Sequence, residues 1–305
     1  NDPILKTIKS FVMKTLSKLV STSSISLLVI TSPVLISGSH KKINVSSNAT
    51  TVSAATHLSF STNNTSNRNL NTANFVAAAT STAVSEKKAD FAMNAAAKKA
   101  FEVKMVILEA SSIYDSMRLN RSGLNQKAFE YAWRGYHNLV KNGSLNKTNV
   151  LTICDFTQSS RNKRMYIIDV QNRKLLMRTY VSHGMNSGVD YATSFSNRPE
   201  SFKTSLGFYV TSKTYVGRNG LSLKMTGLEK GYNSLASKRG IVIHGSDYIT
   251  SEYLKNNGEM GRSLGCTAIP TQVNAKVIKT IKNGSCFFIY HPTKKYLAQS
   301  TIING

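Results

Sequence analysis

Asn149-Val150-Leu151-Thr152-Ile153-Cys154-Asp155-Phe156 is where the texture of this 305-residue chain changes. Val150 to Phe156 is a short, mostly apolar run rich in β-branched residues, and a polar cluster follows it, which is the pattern of a strand. Downstream the pattern repeats at Arg164–Val170, Lys174–Val181, Gly207–Thr211, Gly240–His244 and Ser285–Tyr290. Runs this short, bounded by Gly, Asn and Ser, predict a mostly antiparallel sheet closed into a sandwich or barrel-like fold. A helix is expected over about Thr271–Lys282, with Asn283-Gly284 as its stop. No long alternation of strands and helices appears, which argues against a doubly wound dinucleotide fold.

Upstream of Asn149 the periodicity is helical. Ala, Lys, Glu and Met dominate from Glu86 to about Tyr114. Ile107, Leu108, Ile113, Tyr114 and Met117 recur at near-helical spacing. After a break at Ser122-Gly123, a second apolar face runs through Leu124, Phe129, Trp133, Tyr136, Leu139 and Val140, stopped by Asn142-Gly143. This aromatic stripe reads as core. The expected class is α+β: a mostly β domain over 146–295, a helical subdomain over 86–145 and a tail at 296–305.

The first residues differ from both. Residues 3–85 contain no Asp or Glu. Lys6, Lys9, Lys14 and Lys18 precede an apolar stretch, Leu19 to Ile36, with small residues at Ser37, Gly38 and Ser39. That order is the order of a secretory signal, and Met13-Lys14 resembles a second start. A membrane anchor is the rival reading for 1–39, although a spanning helix wants about 20 mostly apolar residues and this stretch is broken by Ser and Thr. Residues 40–85, dominated by Ser, Thr, Asn and Ala, read as a disordered linker. Both readings of 1–39 place the rest of the chain outside the cytoplasm, in a periplasm or cell envelope.

The net charge is +24. A surface that basic attracts polyanions: nucleic acid, anionic lipid or anionic wall polymer. Nucleic-acid binding also needs a motif, and no helix-turn-helix, zinc-finger or aromatic ribonucleoprotein signature is present. Of the three cysteines, an odd number leaves at least one thiol free. Cys154 and Cys286 lie in apolar runs and read as core, with a bridge between them as the alternative in an exported chain.

Three short strings carry candidate chemistry: Ser182-His183-Gly184, Ile241-Val242-Ile243-His244-Gly245 and Gly261-Arg262-Ser263-Leu264-Gly265-Cys266. Cys266 sits in a Gly-rich loop whose backbone N–H groups can form an anion-binding nest, the requirement for an oxyanion hole. A nearby arginine favours thiolate, and a His at a strand end serves as general base. His244 lies 22 residues before Cys266, a loop length that folds back readily. A zinc site from His183, His244 and Cys266 would lack the usual close ligand pairs, so no metal is expected.

The loop resembles the active site of the YkuD-type L,D-transpeptidases, which cross-link peptidoglycan. Their motif is His-Gly, then fifteen to twenty residues, then Ser-His-Gly-Cys with Arg two residues later. Here His244-Gly245 and Ser263-Leu264-Gly265-Cys266 match, Leu264 replaces the second His, and Ala268 replaces the Arg. The departures resemble the branch called murein L,D-transpeptidase catalytic domain, with its Gly-Arg-Ser-x-Gly-Cys-Pro-Ala pattern; Thr267 takes the proline position. Val181-Ser182-His183-Gly184, Phe195-Ser196-Asn197, Ser205-Leu206-Gly207-Phe208-Tyr209, Gly220-Leu221-Ser222-Leu223 and Gly227-Leu228-Glu229 also match, so the likeness covers roughly Ile113 to His291.

The resemblance implies a YkuD-type catalytic fold, peptidoglycan stem peptides as partners and no cofactor. It implies Cys266 as nucleophile, His244 as base, and Ser263, Leu264, Gly265 and Gly245 as oxyanion and loop residues. With Leu264 and Ala268 replacing expected side chains, Arg262 and His183 become the candidates for substrate binding. A loop-stabilising role for Arg262 and a structural role for His183 are the competing readings. Tyr209, Tyr215 and Tyr248 are candidates to shape a groove, with packing as the default. Water in place of an acceptor amine would make a carboxypeptidase or endopeptidase, and a wall-binding module without catalysis is the reading from another class.

Overall fold

The computed structural model describes residues 94–305. The expected leader (1–39), the linker (40–85) and the opening of the helical subdomain (86–93) lie outside the described residues.

Helix α1 occupies 94–116 and α2 occupies Gln126–Lys141. Asn125 caps α2, its side-chain oxygen accepting from the N–H groups of Lys127 at 2.8 Å and Ala128 at 3.2 Å. The stripe Phe129, Trp133, Tyr136 and Leu139 is buried on one face of α2, as its spacing requires. Eight strands follow: β1 (Lys147–Asp155), β2 (Met165–Asp169), β3 (Lys174–Thr179), β4 (Gly207–Gly217), β5 (Gly220–Gly227), β6 (Val242–Ser246), β7 (Thr267–Pro270) and β8 (Ser285–Tyr290). Helix α3 (Ser251–Asn257) lies between β6 and β7, and α4 (Thr271–Ile281) between β7 and β8. Residues 296–305 do not trail away: α5 (Lys294–Gln299) and α6 (Thr301–Asn304) bury Tyr296 and Ile303. None of the helices among the described residues is long and apolar enough to cross a membrane.

The strands form one mixed sheet in the order β3-β2-β1-β8-β4-β5-β6-β7. Two pairings are parallel, β1 with β8 and β6 with β7, and the others are antiparallel. All six residues of β8 are buried, because β8 is central and α2 covers it together with β1. At Gly135 the helix comes so close that a Cβ would run into the Phe208 ring of β4. Phe208 in turn stacks on Phe288 of β8 at 4.1 Å. On this side the core is filled by aromatic volume.

A buried carboxylate ties the C-terminal helices to β4. Glu229 Oε2 accepts from the Phe208 N–H at 2.8 Å and from the Tyr296 hydroxyl at 2.8 Å, and Oε1 accepts from the Ser300 hydroxyl.

The two ends of the sheet come together. After β3 the chain runs along the entry to β7, with the Ser182 N–H donating to Ala268 O at 2.9 Å and the Ala268 N–H donating to Ser182 Oγ at 3.0 Å. Ser263 N–H donates to His183 O at 3.0 Å, and Met185 N–H donates to Ser263 O at 2.7 Å. This seam makes the sheet a nearly closed barrel, and it passes through the Cys266 loop.

Candidate active site

The β6–β7 register sets the central pair. Ile243 lies opposite Thr267 and His244 opposite Ala268. Cys266, one residue ahead of β7, therefore falls beside the start of β6. Being two residues from Ala268, it shares the strand face that carries His244. The Cys266 thiol donates to Gly240 O at 3.6 Å, and the Val242 N–H donates to the sulfur. Burial pushes the thiol up from its ordinary value, while the Val242 N–H and the Arg239 guanidinium pull it down.

His244 is buried, and its Nδ1 lies 2.9 Å from Gly245 O. A carbonyl only accepts, so in this contact Nδ1 carries the proton and the lone pair of the neutral ring sits on Nε2. Gly245, expected in the oxyanion loop, instead lies in β6, where its carbonyl orients His244. A Cβ there would press on Asn274 and Thr271 of α4 at 3.2 Å.

Ser263 organises the loop from within. Its hydroxyl donates to Cys266 O at 2.6 Å and accepts from the Gly265 N–H at 3.1 Å. The Gly265 N–H is thereby engaged, which leaves those of Leu264 and Cys266 as the candidate oxyanion donors. Gly265 has φ of +115°, and a Cβ would stand 3.0 Å from Lys203 O and 3.1 Å from Arg239 Nη2. Conformation and close approach both call for glycine. Leu264 is 63% exposed at the loop tip.

His183 and Arg262, the candidates for substrate binding, are both engaged within the protein, as their competing structural readings have it. His183 is fully buried. Arg164 Nη2 donates to its Nδ1 at 2.7 Å, since a guanidinium has no acceptor, and its Nε2 then donates to Gly188 O at 3.1 Å. Burial, followed by the Arg164 charge, lowers its pKa to about 4. With both nitrogens engaged, the ring holds the seam, and its own carbonyl accepts from Ser263. Arg262 pairs with Glu259 at 3.3 Å and reaches Gly188 O at 3.4 Å, which is the loop-stabilising arrangement. Tyr209 is core, its hydroxyl donating to Ser205 O at 2.9 Å; Tyr215 is partly exposed, and Tyr248 packs beside Gly261. Cys154 and Cys286 are free, fully buried thiols.

Two arginines escaped the sequence reading. Arg164 is fully buried under the seam, its guanidinium 4.5 Å from the Phe156 ring centre and donating to Val181 O and Gln158 O. Burial lowers its pKa to about 10. Its only sequence mark is a charge heading the buried run Arg164–Val170. Arg239 stands in the turn before β6, against Gly265, and nothing in its neighbours Lys238 and Gly240 singles it out.

The model of the L,D-transpeptidase catalytic domain matches residues 120–290. The chain belongs to that family. The match takes in α2, the whole sheet and the seam. Solved structures similar to this L,D-transpeptidase-family chain include an L,D-transpeptidase from Mycobacterium smegmatis, 13% identical over 47% of this chain and 59% of that one, with a TM-score of 0.30. Another is an L,D-transpeptidase from Xylanimonas cellulosilytica, 15% identical over 47% of this chain and 60% of that one, with a TM-score of 0.27. The chain thus spans about three-fifths of the length of those structures. No curated protein matches the chain.

Proposed function

We propose that this chain is an exported peptidoglycan L,D-transpeptidase working through a Cys266 thioester. The observation that carries the reading is the β6–β7 register, which sets His244 and Cys266 on one strand face with Nδ1 of His244 tied to Gly245 O. Nε2 is then the atom that takes the thiol proton. The sulfur attacks the carbonyl of the L-centre of the third stem residue, and the negative charge on oxygen is met by backbone N–H groups around Leu264 to Cys266. Collapse breaks the amide bond, and the imidazolium returns its proton to the departing D-amino acid. An acceptor amine, the side chain of a diamino acid on a second stem, then attacks the thioester. His244 takes a proton from that nitrogen and gives it back to the sulfur as the new amide forms.

Export is supported by the order Lys6 to Lys18, then the apolar stretch Leu19 to Ile36, within residues 3–85, which hold no Asp or Glu. The +24 charge fits wall polymers carrying carboxylates or phosphates, concentrating the enzyme near substrate without conferring specificity. The test is incubation with disaccharide-tetrapeptide, followed by mass analysis. Cross-linked dimer is the expected product; tripeptide alone would make the protein a carboxypeptidase. Cys266→Ala should abolish both products, and full activity in that variant would overturn the mechanism.

A further inference from the structure

We propose that Arg239 is the positioning residue of the nucleophile: its unneutralised guanidinium, held by the segment 196–205 and set against Gly265, supports negative charge on the Cys266 sulfur. The inference rests on Cys266 being the reactive thiol.

The turn that presents Arg239 is tightly closed, with the Arg239 N–H bonded to Leu235 O at 2.9 Å and the Ile241 N–H to Ala236 O at 3.0 Å. The side chain then fastens the segment 196–205. Nη1 donates to Ser196 O at 2.8 Å and to Ser205 Oγ. Nη2 donates to Lys203 O at 2.6 Å and to Ser201 Oγ at 3.3 Å. Every one of these acceptors is neutral, so the cation is held in place without being cancelled. Arg262 differs in this respect, since Glu259 offsets it.

The same guanidinium backs the nucleophile loop. Nη2 stands 3.1 Å from where a Cβ on Gly265 would lie, immediately before Cys266. The next residue along the chain from Arg239, Gly240, accepts the thiol hydrogen, and Val242 donates to the sulfur. Arg239 therefore sits at the base of both strands that meet at the sulfur. A half-buried charge there acts through a medium less screening than water, which strengthens its pull on a developing anion. Arginine suits the place because a rigid fork can hold several carbonyls and hydroxyls at once while keeping its charge.

The experiment measures the rate of iodoacetamide alkylation against pH. Cys154 and Cys286 are fully buried, so the native protein reports Cys266. Arg239→Gln should raise the midpoint by about one pH unit, lowering the rate near neutrality roughly tenfold while leaving the high-pH plateau unchanged. Arg121→Gln removes an equal charge from an exposed site on the helical side and should not move the midpoint. An Arg239→Gln midpoint equal to that of the parent protein would overturn the proposal. Should that variant fail to fold, Arg239→Lys decides: it keeps the charge and loses the fork. Its midpoint should stay within about 0.3 of the parent, and a rise of about one unit would overturn the proposal. Alkylation needs no wall substrate, so failure of the transfer reaction and failure of this inference are separable.

Discussion

The sheet is secured in two places by opposite means. Against α2 it is secured by volume: Phe208 lies on Phe288 at 4.1 Å, and Gly135 lets the helix press onto the same ring. At the seam it is secured by backbone and hydroxyls: Ser182 clasps Ala268, Ser263 clasps Cys266 and Gly265, and His183 O receives Ser263. Hydrophobic burial is non-directional and rewards bulk, so the first contact stabilises without aiming anything. Hydrogen bonds are individually small in net energy but strict in distance and angle, so the second contact aims a sulfur. The seam is where the barrel closes, and the candidate nucleophile stands in it.

The largest effect on stability is expected on the bulky side. Phe208→Ala should cost about 3–5 kcal/mol in urea unfolding, since the ring is fully buried and stacked. The alkylation midpoint of Cys266 should not move. A cost below about 1 kcal/mol would mean that the ring does not fill the helix–sheet space and that volume is not what secures the sheet against α2.

The seam should answer to acid. His183 is held neutral by burial and by Arg164, its pKa lowered to about 4. A lowered pKa means that the unfolded chain binds the proton more readily. The contribution is therefore complete above about 6.5 and lost as pH falls towards 4, on the order of 3 kcal/mol in all. Glu229 works with the opposite sign, because burial raises its pKa and its contribution weakens as pH rises. The comparison must then be between parent and His183→Asn, unfolded in urea at pH 7 and at pH 4.5. The parent should lose more stability on acidification than the variant does. Equal losses would show that the ring is not buried neutral.

The two regions were unequally legible in the sequence. Phe129, Trp133 and Tyr136 announce a helix face by spacing alone, and Ser285–Tyr290 has the bounds of β8 because a central strand is apolar throughout. Strand β5 was not read, since its interior Ser222 and Thr226 interrupt the apolar run, and β7 has only four residues. Helix α3 has no buried residue and hence no periodicity to detect. At the site, the motif points to Cys266 and His244, which the β6–β7 register sets on one strand face, whereas no motif foretells the contacts of their neighbours. His183 is engaged by Arg164, nineteen residues away in sequence, and Arg239 acquires its place only through carbonyls near Ser196 and Lys203, some forty residues away. Local pattern shows which residues are buried in an element; it does not show which loops a single arginine gathers.

A smaller stability effect is expected at Ser263. Ser263→Ala removes a donor to Cys266 O and an acceptor for the Gly265 N–H, costing about 1–2 kcal/mol. Its effect on transfer should be larger in proportion, a fall in kcat of about 10²-fold, because displacing the nucleophile by an ångström is enough for that. Unchanged kcat together with the full loss of stability would mean that the loop is aimed by something other than its serine.

The smallest effect is expected at Leu264, and it separates backbone from side chain within the loop. Its neighbours on either side are constrained, Ser263 by five hydrogen bonds and Gly265 by its positive φ, so the Leu264 N–H is placed whatever side chain it bears. The side chain itself is 63% exposed. Leu264→Ala should change stability by no more than about 0.5 kcal/mol, as surface substitutions do. If only the N–H serves the oxyanion, kcat should stay within about threefold of the parent, far from the 10²–10³ loss that follows removal of an oxyanion donor. A tenfold fall in kcat/KM at unchanged stability would instead place the leucine side chain against the stem peptide. The exposed apolar tip of the seam would then be a contact for substrate.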